Sequence, residues 1–183
     1  MTPMWKVLIT DDEPKIRKGL KKIIQSFDIE LDVVGEAEDG EMALELAQEL
    51  KPHILLVDIN MPFLNGLAFI EEVYKILPQA IVIIITGYDD FHYAQKAIKL
   101  QVFDYVLKPV NPKELKDIIS KVIDNLEKHH TSTDEVDTLD RDIELYSPIV
   151  ALAKNHIDNH YMQEDLSLQE IADKFDISPS YLV

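Results

Sequence analysis

Five short runs rich in Val, Ile and Leu alternate with longer stretches of helical periodicity, and this alternation constrains the fold more than any other feature of the chain. The runs are Trp5 to Thr10 (WKVLIT), Leu31 to Glu36 (LDVVGE), His53 to Asp58 (HILLVD), Ala80 to Thr86 (AIVIIIT) and Asp104 to Lys108 (DYVLK). Their length and β-branched content predict strands. The first, third and fourth are apolar almost throughout, as expected of parallel strands covered on both faces. Between and after them, Pro14 to Phe27, Gly40 to Leu50, Gly66 to Leu77, Asp90 to Leu100 and Pro112 to Leu126 carry apolar residues at helical spacing. The last places Leu115, Ile118, Ile119, Val122 and Ile123 on one side. Strand and helix in turn predict a doubly wound α/β domain with a five-stranded parallel sheet. The carboxyl ends of all five strands then share one edge, where such folds hold ligands.

The remaining composition limits what the chain can be. At 183 residues, 46 per cent of them hydrophobic, it is globular, and one ordinary domain plus a smaller piece would use its length. There is no cysteine, so disulfides and thiolate metal sites are excluded. No stretch reaches the roughly 18 uninterrupted apolar residues of a membrane span, and Met1 to Asp12 does not read as a secretory signal. A cytoplasmic protein with no membrane partner is expected. The net charge of -16 argues against non-specific attraction to nucleic acid by the chain as it stands.

Past the α/β region, Lys128 to Asp142 (KHHTSTDEVDTLDRD) is poor in apolar residues and rich in Thr and Asp, a linker composition. We place domains at 1–128 and 147–183, with an acidic linker over 129–146. Ser147 and Pro148 make a helix start, and Ser167 with Glu170 forms a capping box for a second helix. Ser178 and Pro179 begin a third helix, of which only Ser180 to Val183 remain, so this second domain is expected to be incomplete.

The chemistry-bearing residues gather at the predicted strand ends. Asp11 and Asp12 follow the first strand, Asp58 ends the third, Thr86 ends the fourth and Lys108 ends the fifth. Gathered carboxylates raise one another's pKa unless compensated. A hard divalent cation such as Mg²⁺ compensates them, and a lysine offers a point positive charge to them or to a phosphoryl oxygen. A nucleophilic carboxylate, a metal, a lysine and a hydroxyl are what forming an acyl phosphate requires.

From about Lys6 to Lys128 the chain resembles the receiver domain of two-component response regulators. The matching pieces are Leu8 to Pro14 (LITDDEP), Val57 to Gly66 (VDINMPFLNG), Thr86 to Asp90 (TGYDD) and Asp104 to Pro109 (DYVLKP). The resemblance implies a flavodoxin-like sheet of order 2-1-3-4-5. It implies that Asp58 accepts a phosphoryl group from a sensor histidine kinase. It also implies a Mg²⁺ site made by Asp12, by Asp11 mainly through water, by Asp58 and by the main-chain carbonyl of Asn60. Thr86 and Tyr105 would form the conformational relay, Lys108 would precede a cis peptide bond to Pro109, and Gly87 would leave access to the site open. The face made by the 90–100 helix, the fifth strand and the last helix would support a homodimer, with Phe91, Tyr93, Ile98, Val102 and Phe103 as candidate apolar surface.

The segment from about Ile149 to Val183, above all Leu166 to Tyr181 (LSLQEIADKFDISPSY), resembles the start of an AraC-type helix-turn-helix DNA-binding domain. That resemblance implies promoter DNA as a partner of the full-length protein. The fragment itself is expected not to bind DNA, since Thr131 to Val183 holds three basic residues against twelve acids. The whole reads as a phosphorylation-switched transcriptional regulator and not as an enzyme. A metal-dependent phosphatase is the first alternative, but it needs a second acid or base, commonly two residues past the nucleophile, where this chain has Asn60. A phosphorylation-independent interaction domain is the second. The spacing of His156 and His160 would suit zinc only with a further ligand, and no motif supplies one.

Overall fold

The computed structural model describes residues 4–87, 93, 96–97 and 99–131. The expected helices of 147–183, most of the linker and much of the 90–100 helix, including Phe91 and Ile98, lie outside the described residues. The chain divides into compact units over 1–135 and 136–183, and every described residue belongs to the first.

Five strands form one parallel sheet: β1 (Trp5–Thr10), β2 (Leu31–Ala37), β3 (Ile54–Val57), β4 (Ile81–Thr86) and β5 (Asp104–Leu107). Their order is β2-β1-β3-β4-β5, as the sequence resemblance implied. Four helices complete the described elements: α1 (Pro14–Gln25), α2 (Gly40–Leu50), α3 (Gly66–Ile76) and α4 (Pro112–Thr131). Tyr93, Lys96, Ala97 and Lys99 are also helical, in the expected 90–100 region.

Alternation along each central strand divides the core in two. Val7 and Ile9 of β1, Ile54 and Leu56 of β3, and Ile83 and Ile85 of β4 join Leu20 and Ile24 of α1 and the Leu115, Ile119 and Val122 face of α4. Leu8, Leu55, Val57, Val82 and Ile84 point the other way, against Ala43 and Ala47 of α2 and Phe69, Ile70 and Val73 of α3. Period-2 strands between period-3.6 helices thus bury both faces of the sheet. Burying a side chain of this size contributes about 1.5–3 kcal/mol each.

Boundaries depart from the sequence reading where end effects decide. The first helix stops at Gln25, where the Ser26 and Phe27 amides tighten onto the Ile23 and Ile24 carbonyls three residues back, although Phe27 still packs on the same core. The last helix continues to Thr131, past Leu126, since Glu127 to His130 contains no glycine or proline to stop it. Met42, one of the apolar residues at helical spacing between Gly40 and Leu50, is 40 % exposed, because Ala43 and Ala47 occupy the buried stripe of α2.

Candidate functional site

The strand ladder itself sets out the site. Just beyond the strands, the Asp58 amide donates to the Thr10 carbonyl (2.8 Å), the Asp11 amide to the Ala37 carbonyl (3.1 Å) and the Lys108 amide to the Thr86 carbonyl (2.8 Å). Each bond extends a parallel pairing by one step, so Asp11, Asp58 and Lys108 leave the sheet at one level on its carboxyl edge. Chain order reverses between β1 and β3, which places Asp11 and Asp58 on either side of the switch point.

Asp11 and Asp58 are buried, at 1 % and 5 % exposure, and Thr86 is fully buried. Lys108 Nζ lies 2.7 Å from Asp11 Oδ2, 3.4 Å from Asp58 Oδ2 and 3.9 Å from the exposed Glu13. The second oxygens are fixed by the main chain: Asp11 Oδ1 accepts from the Glu13 amide and Asp58 Oδ1 from the Ile59 amide, both at 2.9 Å. Burial pushes the Asp58 carboxyl above the usual range; Lys108 opposes this, Asp11 adds to it, and hydrogen bonding from Thr86 and Lys108 again opposes it. Burial lowers the Lys108 ammonium, but hydrogen bonding to Asp11 and the charges of Asp58 and Asp11 outweigh it, leaving the net shift upward.

One ammonium therefore serves two buried carboxylates. Because its pKa is raised, its contribution to stability is fully present below the ordinary lysine value and is lost only as pH rises through the raised one. Lys108→Met should consequently destabilise the protein at pH 7, by about 3–5 kcal/mol as for other broken buried pairs. Urea unfolding checks this; a loss under about 1 kcal/mol would show that the pair stabilises no more than an exposed one.

Among the described residues, two buried side-chain oxygens lack a well-aligned hydrogen bond, Asp11 Oδ2, which meets the Lys108 ammonium, and Thr86 Oγ1. The Thr86 hydroxyl nevertheless sits close enough to Asp58 to act on its ionisation. Asp11, Asp12 and Glu13 each bring a carboxylate oxygen within 4.8 Å of the others. An all-oxygen acidic donor set, in which the buried Asp11 oxygen has a single cationic neighbour in Lys108, fits a hard divalent cation. Asp12 is exposed, and Asp58 is linked to this trio through Lys108 rather than standing within it.

The sequence reading did not single out Glu13, or Arg17, whose guanidinium donates to the Asp11 carbonyl and lies 3.8 Å from Glu38. Glu13 follows the aspartate pair directly and was open to detection; Arg17 depends on how α1 leaves the loop. Asn60 is half-buried beside Ile59, and Tyr105 is half-buried against the core on the α2–α3 side. Among the described residues, a Cβ on Gly87 would meet nothing nearer than Lys108 Cδ at 4.0 Å. The Lys108–Pro109 bond is cis. Of the expected apolar surface, Val102 is instead a core residue at 7 % exposure, while Tyr93 and Phe103 are half-buried.

Residues 7–120, the span that contains this whole edge, match the model of the response regulator receiver domain. The chain belongs to that family. A response regulatory protein of Staphylococcus epidermidis, described as uncharacterized, is 32% identical over 190 residues, which take in 97% of this chain and 72% of the relative. The transcriptional regulatory protein HptR of Staphylococcus aureus is 39% identical over 123 residues, 67% of this chain. The chain spans about half of HptR, 48% of its length. Among solved structures, the receiver domain of AraT, a response regulator from Geobacillus stearothermophilus, is 47% identical with a TM-score of 0.66, covering 70% of this chain and 99% of that one. A LuxR-family DNA-binding response regulator from Staphylococcus aureus is 29% identical with a TM-score of 0.60, covering 64% and 98%. No helix among the described residues is long and apolar enough to cross a membrane.

Proposed function

We propose that this receiver stores a phosphoryl group on Asp58, taken from a phosphohistidine of a sensor kinase, and that its occupancy controls a DNA-binding output. The observation that carries this reading is the single ammonium of Lys108 set 2.7 Å from Asp11 and 3.4 Å from Asp58 at the end of the sheet. An Asp58 oxygen attacks phosphorus, the N–P bond breaks as the O–P bond forms, and the electron pair returns to the imidazole nitrogen. Lys108 is placed to hold a phosphoryl oxygen, and the buried Thr86 hydroxyl, which lacks a well-aligned hydrogen bond, is a ready donor for another. Asp11, Asp12 and the Asn60 carbonyl, with Asp58, would hold Mg²⁺, which when bound supplies the charge that offsets the phosphoryl oxygens. Tyr105, already half-buried two strand positions before Leu107, would follow Thr86 as the relay.

The domains would be the receiver over 1–128, the acidic linker over 129–146 and the first part of an AraC-type output over 147–183. The alignment to the Staphylococcus epidermidis relative across 97% of the chain supports a shared organisation extending past the receiver. Neutral Asn60, two residues beyond Asp58, favours storage over turnover, so the protein would act as a switch in the cytoplasm rather than as a phosphatase. Intact mass after incubation with acetyl phosphate and Mg²⁺ tests the reading. One added phosphoryl group, absent when EDTA replaces the metal, is expected; an unchanged mass with metal present would refute it.

A further inference from the structure

Phe63 is 84 % exposed, far more than any other large hydrophobic side chain among the described residues. It also has φ 62, in the left-handed region that bulky side chains rarely occupy. A left-handed backbone at a bulky residue disfavours the folded state, and Phe63 belongs to neither core cluster, so no burial of its side chain offsets that cost. Strain at one residue points to a role, provided its surroundings hold it there.

The loop does hold it. The amides of Met61 and Gly66 both donate to the Ile59 carbonyl, at 3.2 and 2.9 Å. Met61 is buried, and Leu64 packs on the core with its carbonyl against the start of α2, where a Cβ on Gly40 would come within 2.1 Å of it. Asn65 caps α3 through the Ala68 amide at 3.0 Å. Phe63 is thus presented outward on a clamped loop, so an interface need not order the backbone that carries it.

Its place says what would meet it. The Gly66 backbone touches Asp58: a Cβ there would lie 2.1 Å from the Asp58 carbonyl oxygen. Three residues of chain reach at most about 11 Å, so the Phe63 backbone lies within that distance of the Gly66 contact. Asp58 is only 5 % exposed, and a protein-borne histidine can approach it only by laying its own surface over this edge. A standard interface of about 800 Å² per partner is about 32 Å across, so Phe63 falls inside the footprint of any donor protein.

We propose that Phe63 is a preformed aromatic anchor for the protein that delivers phosphoryl groups to Asp58, a specificity element that small-molecule donors bypass. The proposal rests on the reading of Asp58 as acceptor. The test compares transfer from acetyl phosphate with transfer from autophosphorylated cytoplasmic domains of the sensor histidine kinases of the source genome, using the fastest of them as probe. Phe63→Asn suits the left-handed backbone and should fold at least as well as the parent.

Its kcat/KM for transfer from the kinase should fall about ten-fold, through KM, as for a hot-spot aromatic, whereas labelling by acetyl phosphate should be unchanged. Phe63→Tyr should retain most of the transfer. Equal kcat/KM for parent and Phe63→Asn would sink the idea. So would a matching loss with acetyl phosphate, which would place the effect on Asp58 geometry, or a parental dimer that Phe63→Asn dissociates, which would make a second copy the occupant. Labelling by acetyl phosphate but by no kinase removes the protein donor and the proposal with it. Failure of acetyl phosphate to label the parent chain would strike the Asp58 reading first.

Discussion

Asp58→Asn is expected to abolish labelling by acetyl phosphate and, in the absence of Mg²⁺, to make the protein more stable at neutral pH. The first effect follows from nucleophilicity, since an amide oxygen at the same place cannot form the acyl phosphate. Asp11 is the nearest substitute, but its free oxygen is tied to Lys108 and its other oxygen accepts from the Glu13 amide. Labelling should therefore fall at least about a hundred-fold, or about 2.7 kcal/mol in barrier. The second effect follows from charge. Lys108 cannot neutralise both buried carboxylates, and the Asp58 pKa is raised above 3.8, chiefly by burial. Between the unfolded value and the raised folded one, the folded state holds a proton that the unfolded state has lost, so stability falls as pH rises through that window. Above it the ionised carboxylate is a standing cost, which asparagine removes, leaving Lys108 paired with Asp11 alone. Thermal unfolding in EDTA should show the substituted protein melting higher at pH 7.5, with the advantage gone below the window. Added Mg²⁺ should stabilise the parent more than the variant. A variant that melts lower than the parent in EDTA at pH 7.5 would show that Asp58 is not a burden in the metal-free state.

The order of strands and helices was open to reading because a buried parallel strand and an amphipathic helix have different periods. The same logic exposed the acidic edge: strands that all run one way end on one side, so Asp11, Asp58, Thr86 and Lys108 had to share that edge, and the strand order implied by the family resemblance brought them together. Direction was harder to read than position. Asp11 and Asp12 are adjacent in sequence, yet one is 1 % exposed and the other lies out in solvent, because the chain turns away from β1 between them. Periodicity cannot resolve a turn, and Glu13 enters the cluster for the same reason. Val102 shows the opposite limit, since an apolar residue before an outer strand can face core or solvent and here it packs inward. Phe63 stands in VDINMPFLNG as one more apolar letter. Only the path of the loop shows that Met61 on one side is buried while Phe63 is not.

Gly66→Ala is expected to damage fold and site together. A Cβ at this position would lie 2.1 Å from the Asp58 carbonyl oxygen and 2.9 Å from both the Asp58 carbonyl carbon and Ile59 Cα. All three are backbone atoms, so no rotamer change relieves the contact. The loop cannot swing aside cheaply, because the Gly66 amide bonds the Ile59 carbonyl at 2.9 Å and Asn65 caps the helix that begins here. Overpacking of this kind costs about 1–3 kcal/mol or more. The strain bears on the peptide that carries the Asp58 side chain, so slower labelling should accompany the lost stability. Gly19→Ala is the matched control: it lies within α1, and a Cβ there meets nothing within 4 Å. That substitution should stabilise by about 0.5–1 kcal/mol through helix propensity and leave labelling untouched. Unfolding midpoints and initial labelling rates, measured side by side, separate the two glycines. If Gly66→Ala unfolds and labels like the parent, the backbone behind Asp58 is compliant, and a rigid placement of the acceptor is no part of how the switch works.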